Sequence, residues 1–185
     1  MVKPSPHSPH SRPAPAPVPG VVRDTAPRGA ALAENPTLET VWAWLSAIPD
    51  PEIPAISLTD LGIIRDVAWD GDTLVVTITP TYSGCPATSI INLDIEMALR
   101  DHGIENLDLK RQLSPPWTTD WMSDTGRAKL ESYGIAPPRP AGGPQHCPHC
   151  KSTAVERISQ FGSTPCKAQW RCQDCREPFD YFKCI

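Results

Sequence analysis

The sequence predicts an α+β chain: a small α-β-β-α-β-α domain followed by a C-terminal four-cysteine β module. Three observations predict it. Residues 37–135 alternate between helical and strand periodicity. A proline- and glycine-rich stretch at 136–144 separates them from the last 41 residues. Those last residues carry six of the seven cysteines, four of them in two Cys-x-x-Cys pairs.

Residues 1–36 hold nine prolines and few large apolar side chains. Proline removes backbone donors and there is little to bury, so this segment is expected to be a disordered, partly polyproline-II tail. Its His7 and His10 are read as solvated tail residues. Order is expected from Thr37. Leu38, Val41, Trp42, Leu45 and Ile48 recur at helical spacing, which predicts an amphipathic helix over 37–48. Asp50-Pro51 ends it, and Asp50-Pro51-Glu52-Ile53-Pro54 is held extended or in turns, because proline disfavours helix in the residue before it.

Ile63–Trp69 and Thr73–Thr79 are β-rich runs joined by Asp70-Gly71-Asp72, a hairpin signal. Pro80–Gly84 reads as a loop. Pro86 suits the first turn of a helix that runs to about His102 and stops at Gly103, burying Ile91, Ile95, Ala98 and Leu99. Leu107–Leu113 reads as a third strand, broken by Ser114-Pro115-Pro116-Trp117. A short helix follows near Ser123–Ser132 and ends at Gly134. Beyond the 136–144 linker, Val155–Gln160, Lys167–Trp170 and Phe179–Phe182 are ribbon strands. Residues 145–185 are too few for an independent apolar core and need a staple.

The formal net charge is −4. That balance disfavours nucleic acid, which demands a basic surface. Residues 145–185 carry six Lys/Arg against four Asp/Glu, a small excess, and Trp170, Phe179, Tyr181 and Phe182 are more simply core than base-stacking platforms. No apolar run approaches the ~18 residues of a membrane span. The first residues lack a signal-peptide apolar region, so the expected location is cytoplasmic, with reduced thiols.

Cys147/Cys150 and Cys172/Cys175 form the two pairs, with twenty-one residues between them. Two residues between thiols let one tight turn aim both sulfurs at a point, and two such turns make a tetrahedral four-sulfur site suited to Zn2+. A closed shell of this kind is structural. A rubredoxin-like iron or an Fe–S cluster uses the same ligands. His149, inside the first pair, is read as a turn residue. Cys166 and Cys184 remain: either small buried apolar residues or a second thiol pair for iron or a redox-sensitive disulfide.

Cys85 stands alone in Ser83-Gly84-Cys85-Pro86. With Pro86 opening a helix, Cys85 would be its N-cap, where unpaired N–H groups depress a thiol pKa. Gly84 would allow close backbone approach. Cys85 is thus a candidate reactive or soft-metal-binding thiol, with Asp50, Glu52 and Asp60 as candidate acidic companions. One cysteine cannot hold a cluster, which points to transient handling of iron or an Fe–S cluster. There is no phosphate-cradling loop, Glu-x-x-His pair or nucleotide fingerprint, so nothing marks a stand-alone enzyme.

Asp50-Pro51-Glu52-Ile53-Pro54, Asp60-Leu61-Gly62-Ile63-Ile64 and Ser83-Gly84-Cys85-Pro86 resemble the small α+β domain of SufT-like iron–sulfur assembly proteins. Phe161-Gly162-Ser163-Thr164-Pro165-Cys166-Lys167 and Glu177-Pro178-Phe179-Asp180-Tyr181-Phe182-Lys183-Cys184 resemble the D subunit of the bacterial phenylacetyl-CoA epoxidase system. The resemblance covers residues 37–185. It implies an accessory subunit of a multicomponent monooxygenase in aerobic phenylacetate breakdown, which helps mature or repair a metal centre in a partner chain, the di-iron oxygenase or the flavin/Fe–S reductase. It also implies that Cys85, with Asp50 and Glu52, is the iron-handling set, and that Cys147, Cys150, Cys172 and Cys175 ligate zinc in a zinc ribbon. A purely structural scaffold that docks the epoxidase subunits is the alternative, and a homodimer stays open.

Overall fold

The computed structural model describes residues 35–140 and 142–183. The expected tail, with His7 and His10, and Cys184 lie outside the described residues. Helix α1 spans Leu38–Ser46. Thr37 caps it, its hydroxyl accepting from the Thr40 amide at 3.2 Å, which satisfies one of the helix's open donors. Val41 and Leu45 point into the core.

The chain then runs through a loop that fills the core. Ile53, Ile56, Leu58 and Leu61 are all buried. Backbone bonds from Asp50 to Ile56 (2.8 Å) and from Leu58 to Ile48 (3.0 Å) pin it. Gly62, with φ +71°, closes the loop where a Cβ would sit 2.5 Å from the Trp121 carbonyl oxygen. No other residue fits that backbone and that gap.

Strands β1 (Ile64–Asp70) and β2 (Thr73–Ile78) form the expected antiparallel hairpin, and β2 pairs in parallel with β3 (Leu107–Arg111). A register shift between Ile64 and Asp66 inserts one residue, so Ile64 and Val67, three apart, both face inward. A parallel β2–β3 pair needs a crossover. Helix α2 (Thr88–Asp101) provides it, burying Ile91, Ile95 and Leu99. Helix α3 (Asp124–Ser132) is capped by Ser123, and Gly134 follows it at φ +92°.

The second sheet has four strands in the order β4-β7-β6-β5. Three are the expected ribbon strands: β5 (Val155–Ser159), β6 (Lys167–Cys172) and β7 (Pro178–Phe182). The fourth, β4, is Ile135–Ala136, which pairs in parallel with Asp180 and Tyr181. Two residues carry no readable strand period, so β4 is invisible in the sequence. Cys166 and Phe182 pack in the same core as α1, α2 and the first sheet. Trp117 joins the parts. Its indole N–H donates to the Leu61 carbonyl at 2.9 Å, and its ring meets Phe182 at 6.1 Å between centroids.

Candidate metal and thiol sites

The four paired cysteines come together. Their sulfurs all lie within 4.8 Å of one another, with Cys147–Cys175 at 3.8 Å and Cys150–Cys172 at 3.5 Å. Four thiolates at the usual Zn–S bond length of about 2.3 Å stand about 3.8 Å apart, so the set fits a tetrahedral ion. The two turns are built alike. Lys151 (φ 63°) and Arg176 (φ 67°) each take the left-handed conformation directly after the second cysteine of a pair. The Cys147 and Cys172 amides donate to the Ser152 and Glu177 carbonyls, closing each turn. Without a metal the clustered thiols titrate as a group: the amides of Cys175 and Asp174 pull the Cys172 pKa down to about 7, while, against the Glu177 amide, burial and the neighbouring thiols push that of Cys175 up to about 12. His149 is not part of the group. Its ring lies 3.1 Å from where a Cβ on Gly134 would be. Glu131, on α3, holds the first turn through His146 (2.8 Å) and Lys151 (2.5 Å).

Cys85 occupies a different setting from the one its sequence context predicts. Helix α2 begins at Thr88, its N-cap is Ala87, and Cys85 sits in the preceding turn. The Cys85 carbonyl accepts from the Thr88 amide (3.2 Å) and hydroxyl (2.9 Å). Burial pushes the thiol pKa up and the Glu52 carboxylate adds to this, against opposing pulls from the Ala87 amide, Thr88 and Tyr82. The expected depression by a helix terminus is therefore corrected: the terminus lies beyond the thiol, and desolvation wins. Gly84 has an ordinary φ, and a Cβ there would meet only the Tyr82 ring at 4.0 Å, so no close approach depends on it.

The thiol lines a cavity together with Asp50, Glu52, Ile53, Thr81 and Cys166, with Phe182 among its apolar walls. Its interior volume is about 10 Å³, room for about one water molecule or a bare ion. Asp50 is buried, and one of its carboxylate oxygens accepts from the Glu52 amide (2.9 Å) and the Ile53 amide (2.8 Å). This local turn sets the loop's shape. Burial raises the Asp50 pKa, and burial with the nearby Asp50 charge raises that of Glu52. Lys167 is buried, lies 3.7 Å from Asp180, and its charge opposes both shifts. The buried Tyr82 hydroxyl makes no hydrogen bond of normal geometry. Burial and the charges of Cys85, Glu52 and Cys166 push it up to about 12.

Asp60 stands apart from this cavity. It binds Lys129 at 2.6 Å and the Ser123 hydroxyl at 2.7 Å, anchoring the start of α3. Those partners hold its pKa down against desolvation. Cys166 is legible in the sequence only as a leftover thiol. The structure sets its sulfur 3.0 Å from the Thr164 hydroxyl and 4.0 Å from a Glu52 carboxylate oxygen.

Fold and sites define a class: an α+β domain of the iron–sulfur assembly type, joined to a four-cysteine metal-binding ribbon. Residues 38–105 match the family model of an iron–sulfur cluster assembly protein, and residues 139–183 that of the PaaD zinc beta ribbon domain. The putative D subunit of the 1,2-phenylacetyl-CoA epoxidase of Escherichia coli strain K12 is 49% identical over 158 residues, covering 81% of this chain and 94% of its own. The chain belongs to this family of epoxidase D subunits. The Fe-S protein maturation auxiliary factor YitW of Bacillus subtilis strain 168 is 34% identical over 99 residues, 52% of this chain and 96% of its own. Among solved structures, a domain of unknown function (DUF59) from Bacillus anthracis is 28% identical at a TM-score of 0.47, covering 50% of this chain and 89% of that one. Among the described residues, no helix is long and apolar enough to cross a membrane.

Proposed function

We propose that this chain is an accessory, non-catalytic subunit of the phenylacetyl-CoA ring-1,2-epoxidase, a multicomponent monooxygenase of aerobic phenylacetate catabolism. It matures or repairs an Fe–S or iron centre in a partner subunit, in the cytoplasm. Residues 37–135 carry out the assembly role and 145–185 form the ribbon, which holds structural Zn2+ through Cys147, Cys150, Cys172 and Cys175. Cys85 is the iron-handling thiol, Glu52 its companion and Asp50 the residue that positions Glu52. One observation carries the reading: a cysteine and two carboxylates share a cavity of about 10 Å³. That is far too small for a CoA thioester and suits an ion. Asp60 takes no part, because its carboxylate is committed to Lys129 and Ser123.

The test replaces Cys85 by Ser and measures the Fe–S content of the co-expressed reductase and the epoxidation rate. Both are expected to fall; unchanged loading with unchanged epoxidation sinks the proposal. A scaffold reading draws on Ile158 and Phe161, two large apolar side chains exposed on the ribbon. Removing residues 145–185 cannot isolate that role, because it also strips Cys166 and Phe182 from the shared core. Ile158→Ser with Phe161→Ser, followed by co-purification of the epoxidase subunits, tests docking. Loss of binding with intact metal loading would favour the scaffold.

A further inference from the structure

Three potential metal ligands from three distant chain segments meet in one cavity: Glu52 from the loop after α1, Cys85 from the turn before α2, and Cys166 from the ribbon. We propose that these three residues bind a single ferrous ion, with the ribbon supplying the second thiolate. The inference rests on the maturation reading and specifies the site that serves it.

One of the three separations is near that of two ligands on a single ion. The Cys166 sulfur lies 4.0 Å from a Glu52 oxygen. A thiolate and a carboxylate oxygen on one tetrahedral ion stand about 3.6 Å apart, from ordinary bond lengths to such a metal. Among the described residues only the four ribbon cysteines already stand as a close ligand group, so the three cavity ligands must draw together on binding. Two thiolates select a soft transition metal over magnesium or calcium. The cavity admits an ion and excludes anything much larger. Three protein ligands leave a fourth position open, as in metal sites that exchange ligands and unlike the closed ribbon site.

The surroundings suit such an ion. Asp50 uses its carboxylate to hold the Glu52 and Ile53 amides, leaving the Glu52 carboxylate for the metal. Two thiolates and one carboxylate carry three negative charges; the ferrous ion cancels two, and buried Lys167 is near enough to act on Glu52 and Cys166. The Tyr82 hydroxyl, buried without a normal hydrogen bond, interacts with the Cys85 thiol. Binding forms two Fe–S bonds and one Fe–O bond. Both thiol protons pass to solvent, and iron keeps its oxidation state.

The full chain, purified without oxygen and with zinc filling the ribbon, is titrated with Fe2+ and separately with Co2+. The thiolate-to-Co2+ charge-transfer absorption counts sulfur ligands. One further equivalent of either ion is expected, with the absorption of two thiolates. Cys166→Ser should halve that absorption and weaken Fe2+ binding at least about tenfold; Cys85→Ser should do the same, and the double variant should abolish both. Cys166→Ala, with zinc content and Tm measured, gives the same readout if the serine variant folds poorly. Unchanged absorption and affinity in a folded Cys166 variant overturns the assignment, and the maturation reading survives it if Cys85→Ser still loses metal. A wild-type chain that takes no second equivalent also overturns the site. The Fe–S content of the reductase, measured separately, then decides the maturation reading.

Discussion

The ribbon's four cysteines and the Cys85 cavity are both thiol sites, but they are built in opposite ways. The ribbon site comes from two short turns that repeat one backbone design, with a left-handed residue after each second cysteine. Its sulfurs stand at metal-ligand separation. The cavity takes its residues from segments more than a hundred positions apart, and burial there raises the pKa of Cys85, Cys166, Asp50 and Glu52. A closed, preformed shell holds a metal for good. The site proposed in the cavity leaves one position open, and its two buried thiols must each lose a proton before they bind, which favours weak binding and release. On the function proposed above, the richer cluster of cysteines staples the fold, while the poorer one is suited to exchange.

This contrast between staple and exchange site is open to measurement. The largest effect is expected from the ribbon metal. Stripping it with a chelator, or replacing Cys172 by Ser, should destabilise the ribbon by more than about 5 kcal/mol, because metal binding free energy there is folding free energy. The loss should spread to the first sheet through Phe182, so thermal unfolding without metal should weaken both parts; an unchanged Tm would mean the site is not a staple. Phe182→Ala comes next, at about 3–5 kcal/mol for a fully buried aromatic. A single cooperative denaturant transition is expected in wild type, and two separate transitions would show that the sheets do not share a core.

Cys85→Ser should cost less than about 1 kcal/mol, because the side chain is only half-buried and serine keeps a polar group of similar size in the turn. Urea unfolding at neutral pH checks it. A large loss would make Cys85 a packing residue and weaken its separation from the ribbon thiols.

The smallest effect concerns Asp60. Its folded pKa lies below the unfolded value of 3.8. The native state therefore binds fewer protons, and the carboxylate's contribution is present above about pH 4 and lost as pH falls through the folded pKa. Lys129 is almost half exposed, so the pair is worth no more than about 1 kcal/mol. Asp60→Asn should flatten stability below pH 4 and leave metal loading of the partner unchanged. Impaired loading in a stable variant would return Asp60 to the working site.

Much of the fold is legible because its signals are local. The hairpin turn, the helical spacing of Ile91, Ile95 and Leu99, and the stop at Gly134 each depend on a few neighbouring residues. So does each Cys-x-x-Cys turn. The Asp50-Pro51-Glu52 loop can be read as a turn, but that its Ile53, Ile56, Leu58 and Leu61 fill the core cannot. The start of α2 misleads. Proline at 86 suits a first helical turn, yet the chain makes a separate turn there and delays the helix to Thr88. That delay removes Cys85 from the helix terminus and leaves burial to set its pKa.

Residue type and short-range spacing encode the α+β class, the four ribbon ligands, and the candidacy of Cys85, Asp50 and Glu52, so all of these can be read from the chain as written. Three matters depend on how distant segments pack. Cys166 joins Cys85 and Glu52 in lining one cavity, Asp60 binds Lys129 and Ser123 at the start of α3, and a two-residue strand at Ile135–Ala136 ties α3 to the ribbon. Trp117 and Phe182 seat the ribbon in the common core, and that seating, which no local pattern records, brings Cys166 into the wall of a cavity whose other lining residues, Phe182 apart, lie between residues 50 and 91.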